Sequence, residues 1–258
     1  MSICILIAAG SVFAIGRSDT GKLVCGVTEF EPINYRDSSG KWIGFDTEMA
    51  QLVGQKLGMP VEFQEIEWSN KYQELEAGTI NAIWNGFTAN ASEDGVPRSA
   101  IVDFSYSYLL NQQCIVIRSS RASEFRSINN LAGKTAAAES GSAGEEAAKD
   151  AIGPNGRFIG AAAQINTFIE VKSGAVDCAV VDILLAQRIA GSGDYSDLMI
   201  ADITLDHEVY AVGFKKGSGL RDRVNQALKE LYDEGKMAEI ARKYGLQDSL
   251  VLDTNFRG

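Results

Sequence analysis

The sequence predicts an α/β protein of two similar lobes with a ligand cleft between them, and three observations carry that expectation. Strand-like and helix-like segments alternate along most of the chain, the signature of α/β construction. A segment also recurs: Glu74–Asn85 (ELEAGTINAIWN) is echoed by Val171–Asp182 (VKSGAVDCAVVD). Each copy has a helix ended by Gly, an Asn or Asp three residues later, and an apolar strand with a polar end. Finally, 258 residues suffice for one long domain or two short lobes. Open α/β sheets take ligands outside the carboxyl ends of their strands, so Asn85 and Asp182 are expected to face a shared cleft.

The elements follow in order. Ile3–Ile15 (ICILIAAGSVFAI) is almost wholly apolar before the chain turns polar at Arg17–Thr20. It is too short to span a bilayer and fits the apolar region of a secretory signal, with Ala14-Ile15-Gly16 as a small-x-small cleavage site. Residues 1–21 are therefore read as a signal-like leader, although no basic stretch precedes it. Lys22–Val27 reads as a strand. Asp46 is placed as the cap of a helix with Met49, Leu52, Val53 and Leu57 on one face, ending at Gly58. Val61–Ile66 is a second strand, and Ser69 is placed as the cap of a short helix stopping at Gly78. A strand at Lys134–Ala138 leads to Ser142, which with Glu145 forms a capping box opening a helix. In the last long helix Ser218 is the cap, and Leu220, Val224, Ala227, Leu228, Leu231 and Tyr232 form one stripe before Gly235.

Composition narrows the function. The net charge of −10 and pI near 4.7 argue against a nucleic-acid partner, whose phosphates need a basic surface. Cys25, Cys114 and Cys178 each sit in an apolar strand-like run, with no C-x-x-C pair, and are expected as buried free thiols. His207 is the only histidine, which leaves little from which to build a His-based triad or metal cluster. No phosphate loop stands in the sequence either, so neither cofactor, metal nor catalytic residue is expected.

One segment has the chemistry of an anion site. Ser142 opens a helix flanked by Gly141 and Gly144, whose bare backbone lets a carboxylate approach the helix N-terminal amides. As capping alone, the segment needs no ligand.

The chain resembles the amino-acid-binding proteins of bacterial ABC importers, solute-binding family 3, with the type II periplasmic-binding-protein architecture. The matching motifs run in order from GVTEFEP at Gly26–Pro32 and GKWIGFD at Gly40–Asp46 to Glu67-Trp68 and IWNGFT at Ile83–Thr88. They continue with VDFS at Val102–Ser105, SGSAGE at Ser140–Glu145 and DCAVVD at Asp177–Asp182. YAVGFKKG at Tyr210–Gly217 and GKMAEI at Gly235–Ile240 complete a resemblance covering about Lys22 to Leu246.

The resemblance implies one lobe from residues 22–109 and 210–258, a second from 112–205, and two crossovers that act as hinges. It implies that Thr88 and the backbone amides near Ser142 and Ala143 hold the ligand carboxylate. Asp182, with the Gly86 carbonyl, would hold the α-ammonium, and Phe30 and Trp68 would sandwich the side chain. One departure stands out. The family usually has an Arg five residues after the Thr to clamp the carboxylate; here that position is Glu93, and the nearest Arg is Arg98, displaced by extra residues Asn90–Pro97. Glu29 and Glu139 fall in motifs that should face the cleft, where a carboxylate favours a ligand with a donor-rich or cationic tail. The implied protein is a periplasmic or extracellular, cell-surface-associated monomer that hands a polar or cationic amino acid to an ABC permease. A sensory ligand-binding domain and a periplasmic prephenate or arogenate dehydratase are the alternatives on the same fold.

Overall fold

The computed structural model describes residues 21–256; the leader-like stretch Ile3–Ile15 lies outside the described residues. Two sheets organise the chain. In the first, the order is Val61–Glu65, Leu23–Val27, Ala82–Ile83, Gly213–Phe214 and Asp103–Phe104. Its first three strands run parallel, and Gly213–Phe214 is antiparallel to both its neighbours. The second runs Arg157–Ala161, Thr135–Glu139, Cys178–Asp182, Ser107–Arg118 and Leu198–Ile200. Parallel strands joined through helices bury both faces, which is why LVCGV and CAVVD read as continuous apolar runs.

The repeated segment has a physical basis in both copies. Gly78 and Gly174 end their helices in the left-handed conformation, at φ 76° and 80°, where glycine meets no Cβ penalty. The Asn or Asp three residues later then secures the start of the neighbouring strand. Asn81 accepts from the Val24 amide at 2.8 Å, and Asp177 accepts from the Thr135 amide at 2.8 Å. The same turn thus fixes register in each sheet and aims the next polar residue at the strand end.

Several boundaries differ from the sequence reading. The first helix is Phe45–Leu57 with Gly44 as its N-cap, so Asp46 is not the cap. A Cβ on Gly44 would lie 2.3 Å from the Ile33 carbonyl, so glycine takes the cap position and Asp46 falls inside the first turn. There it points inward and accepts from the Gly86 amide and the Tyr108 hydroxyl, both at 2.8 Å. Ser69 is not a cap either: it lies within a 3₁₀ turn, Trp68–Asn70, leading into Lys71–Ala77. Tyr232 leaves the buried stripe of Gly219–Asp233 and is 44% exposed, whereas Leu220, Val224, Ala227, Leu228 and Leu231 are buried. Ser218 does cap that helix, accepting from the Leu220 amide. The three described cysteines are buried and unbridged.

The crossovers are strands, paired with each other. Ser107–Arg118 is a 12-residue strand whose later part pairs with Cys178–Asp182 and whose earlier part pairs antiparallel with His207–Tyr210. Leu250–Asp253 pairs with it as well. The extra residues after Thr88 form a hairpin, Ser92–Glu93 with Val96–Pro97. Its Asp94-Gly95 turn has positive φ at both residues, 49° and 76°, the requirement of a tight hairpin turn.

Candidate functional site

Side chains from both sheets meet at the carboxyl ends of the central strands. Cys178–Asp182 is buried throughout, and its last residue, Asp182, stands opposite Gln113. Side chains two apart share a strand face, so Gln113 and Asn111 both turn toward it. Asp182 accepts from Asn111, from Gln113 at 2.9 Å, from the Tyr210 hydroxyl at 2.7 Å and from Gln164. Gln164, at the start of the helix Gln164–Ser173, also accepts from the Asp182 amide at 2.9 Å. With its backbone and side chain both held, the carboxylate has one orientation.

At the other end, Ser142 caps the helix Ala143–Ile152 by accepting from the Glu145 amide at 3.1 Å. Glu145 in turn accepts from the Gly141 amide at 2.6 Å, one residue earlier than an ideal capping box. Arg98, 1% exposed, donates to the Thr88 carbonyl at 3.0 Å, to Glu93 at 3.1 Å and to the Gly141 carbonyl at 3.2 Å. The Thr88 hydroxyl donates to Glu208 at 3.1 Å. Trp68 meets the edge of Phe87 at 5.6 Å.

Nine of the sequence-derived site residues line one cavity: Trp68, Asn85, Gly86, Thr88, Arg98, Glu139, Ser142, Ala143 and Asp182. Phe30 and Glu29 do not. Phe30 is buried behind Gly86, edge-on to Tyr210 at 6.5 Å, so Trp68 is the ring at the cavity wall. Glu29 pairs with Arg36 at the surface. Asn85 is spent on the scaffold, donating to Thr28 and accepting from Asn34, each at 2.7 Å.

Gln113 and Gln164 also line the cavity and were not foreseen; Asn111 and Glu208 stand behind it. Asn111 and Gln113 stand in a polar run, Asn111-Gln112-Gln113, and only the pairing with Cys178–Asp182 shows which of them turn toward the site. The cavity is about 10 Å³, the space of one water, so its walls are already closed on each other. A wider cleft of about 900 Å³ shares Thr88, Gln113 and Ala143 with it and reaches Glu208.

The buried carboxylates of the site are all shifted in one direction. Burial pushes Glu139 up to about 8, with the Asp182 charge adding to the effect. Burial pushes Glu208 up to about 7, again aided by Asp182, and raises Asp182 itself. One oxygen of Glu139, Oε1, has no hydrogen-bond partner, and neither does Gln113 Oε1. Buried acceptors left open carry a free-energy cost. The Glu139 and Gln113 side of the cavity is therefore built to receive hydrogen-bond donors.

Residues 23–247 match the bacterial extracellular solute-binding proteins, family 3. The arginine-binding extracellular protein ArtP of Bacillus subtilis (strain 168) is 28% identical, over 94% of this chain and 96% of that protein. Among solved structures, an ancestral arginine-binding protein bound to arginine superposes with a TM-score of 0.78 at 29% identity, covering 88% of this chain and 99% of that one. An ancestral amino-acid-binding protein described as a precursor of cyclohexadienyl dehydratase gives 0.77 at 26% identity, covering 88% and 96%. The chain belongs to the bacterial extracellular solute-binding proteins, family 3, and has the two-lobed α/β architecture expected from its sequence.

Proposed function

We propose that this protein captures a polar or cationic amino acid between its lobes and presents it to the permease of an ABC importer. Residues 22–109 with 210–258 form one lobe in this reading, and 112–205 the other. The observation that carries it is the polarity of the cavity. Asp182 and the partnerless Glu139 oxygen stand ready for cations, while Arg98, Thr88 and the amide end of the Ala143–Ile152 helix stand at the anion end. A zwitterion with a cationic tail complements that arrangement.

Because the closed cavity is too small for an amino acid, ligand enters only after the lobes part about the paired crossover strands. Closure then removes the ligand from water, where its charge pairs strengthen. A relative named as arginine-binding and a neighbour bound to arginine support a basic ligand. A thermal-shift screen of the amino acids followed by calorimetry tests the reading, with binding expected at roughly micromolar Kd, about −8 kcal/mol. Failure of every amino acid to bind below millimolar concentration would overturn it.

A second reading has one observation in its favour. Glu139, pushed up to about 8, is a proton source at neutral pH, as an acid-catalysed lyase requires. Incubation of the purified protein with prephenate or arogenate separates the two readings: turnover would make it an enzyme.

A further inference from the structure

The anion end of the cavity is backed by a carboxylate of the protein's own. Lys71 and Arg98 are each 1% exposed, and both meet the cavity wall. Lys71 Nζ lies 5.4 Å over the Trp68 ring, and Arg98 lines the cavity directly. Neither cation is unmatched. Glu93 Oε1 accepts from Lys71 Nζ at 2.6 Å and from Arg98 Nη2 at 3.1 Å. Both cations also donate to the Gly141 carbonyl, at 2.8 and 3.2 Å. Glu93 comes from the inserted hairpin and stands behind the wall, outside the cavity lining.

We propose that Glu93 is a specificity-determining positioning residue: by neutralising Lys71 and Arg98 from behind, it makes the site reject ligands that carry a second carboxylate. The proposal rests on the amino-acid reading above. The Glu93 carboxylate already sits between the two buried cations, so a ligand side-chain carboxylate finds no unmatched positive charge. It meets instead the Asp182 carboxylate, and like charges brought together in a dry site repel strongly. Without the Glu93 charge, Lys71 and Arg98 stand uncompensated at the wall. Burial and the Arg98 charge already lower the Lys71 ammonium to about 8, so that pair gains most from a new anion. A ligand carboxylate would then be the nearest anion to supply.

The test uses the full chain as wild type, Glu93→Gln and Glu93→Asp, titrated by calorimetry with L-arginine, L-glutamine and L-glutamate. Glutamine and glutamate are nearly the same shape, so the ratio of their affinities cancels any general effect of the hairpin on folding or closure. Glu93→Gln is expected to shift that ratio toward glutamate by at least about tenfold, and Glu93→Asp to keep it within about threefold of wild type. Circular dichroism confirms folding, and Glu93→Ser replaces the glutamine variant if that one does not fold. An unchanged ratio, or arginine binding to all three proteins with glutamate binding to none, overturns the inference and leaves the amino-acid reading standing. Failure of the wild type to bind any amino acid overturns that reading itself, and the inference with it.

Discussion

Replacing Asp182 with alanine removes the carboxylate that ends the Cys178–Asp182 strand, and the structure allows the consequences to be separated into affinity and stability. In the closed state Asp182 is buried and accepts from Asn111, Gln113, Gln164 and Tyr210. If it pairs with the α-ammonium of a bound amino acid, truncation leaves that cation enclosed without its counter-charge. The cost of breaking such a buried pair is roughly 2–5 kcal/mol, which is about 30-fold to several-thousand-fold in affinity. Stability should also fall, by about 1–3 kcal/mol, because the buried Gln164 amide and Tyr210 hydroxyl lose their acceptor. Asn111 and Gln113 also donate to Glu208, so both amides keep a partner. The Asp182 charge also helps to raise Glu208, so its removal relieves a repulsion that offsets part of the lost hydrogen bonding. Calorimetry of arginine and glutamine binding, with circular dichroism and a thermal melt, measures both quantities. A folded Asp182→Ala protein with wild-type affinity would show that the ammonium is held elsewhere or that the ligand has none.

Three further outcomes are expected. Asp177→Ala, in the turn before the same strand, loses the Thr135 amide bond at 2.8 Å and the Arg121 pair at 2.6 Å; denaturation should show a loss of about 1–3 kcal/mol, and calorimetry an unchanged affinity. The ligand-free closed form should open as pH rises. Glu139 at about 8 and Glu208 at about 7 lie above the ordinary glutamate value of about 4.3. Their contribution to closure is therefore complete below about pH 4 and lost as pH climbs through 7 to 8. Small-angle scattering should accordingly give a larger radius of gyration at pH 9 than at pH 5 without ligand, and a compact form at both with arginine; a constant radius without ligand would count against this. Glu139→Gln should bind arginine at least about tenfold more weakly than wild type at pH 8.5, because an ionised buried partner is replaced by a neutral one, and calorimetry at pH 6 and 8.5 should show the difference shrinking at the lower pH.

The sequence by itself determined the α/β class, the echoed halves and most of the lining of the site. The class and the echoed halves depend on local signals, namely the Gly78 and Gly174 helix ends, the Asn81 and Asp177 turns, and the apolar runs leading to Asn85 and Asp182, while Trp68, Gly86, Thr88, Arg98 and Glu139 followed from the family resemblance. A residue at the carboxyl end of a buried parallel strand has few directions in which to point, so its place can be read from its own neighbourhood. The role of Asp46 could not be read that way, because the Ile33 carbonyl that reserves the cap for Gly44 arrives from another turn. Glu29 and Phe30 belong to a cleft-facing motif, yet Arg36 draws one to the surface and Gly86 stands in front of the other. Only tertiary structure decided that Arg98 and Lys71 would share both the Gly141 carbonyl and the Glu93 carboxylate. That outcome depends on distances between segments far apart in the chain, and on burial, which turns ordinary carboxylates and amines into groups that must find a partner.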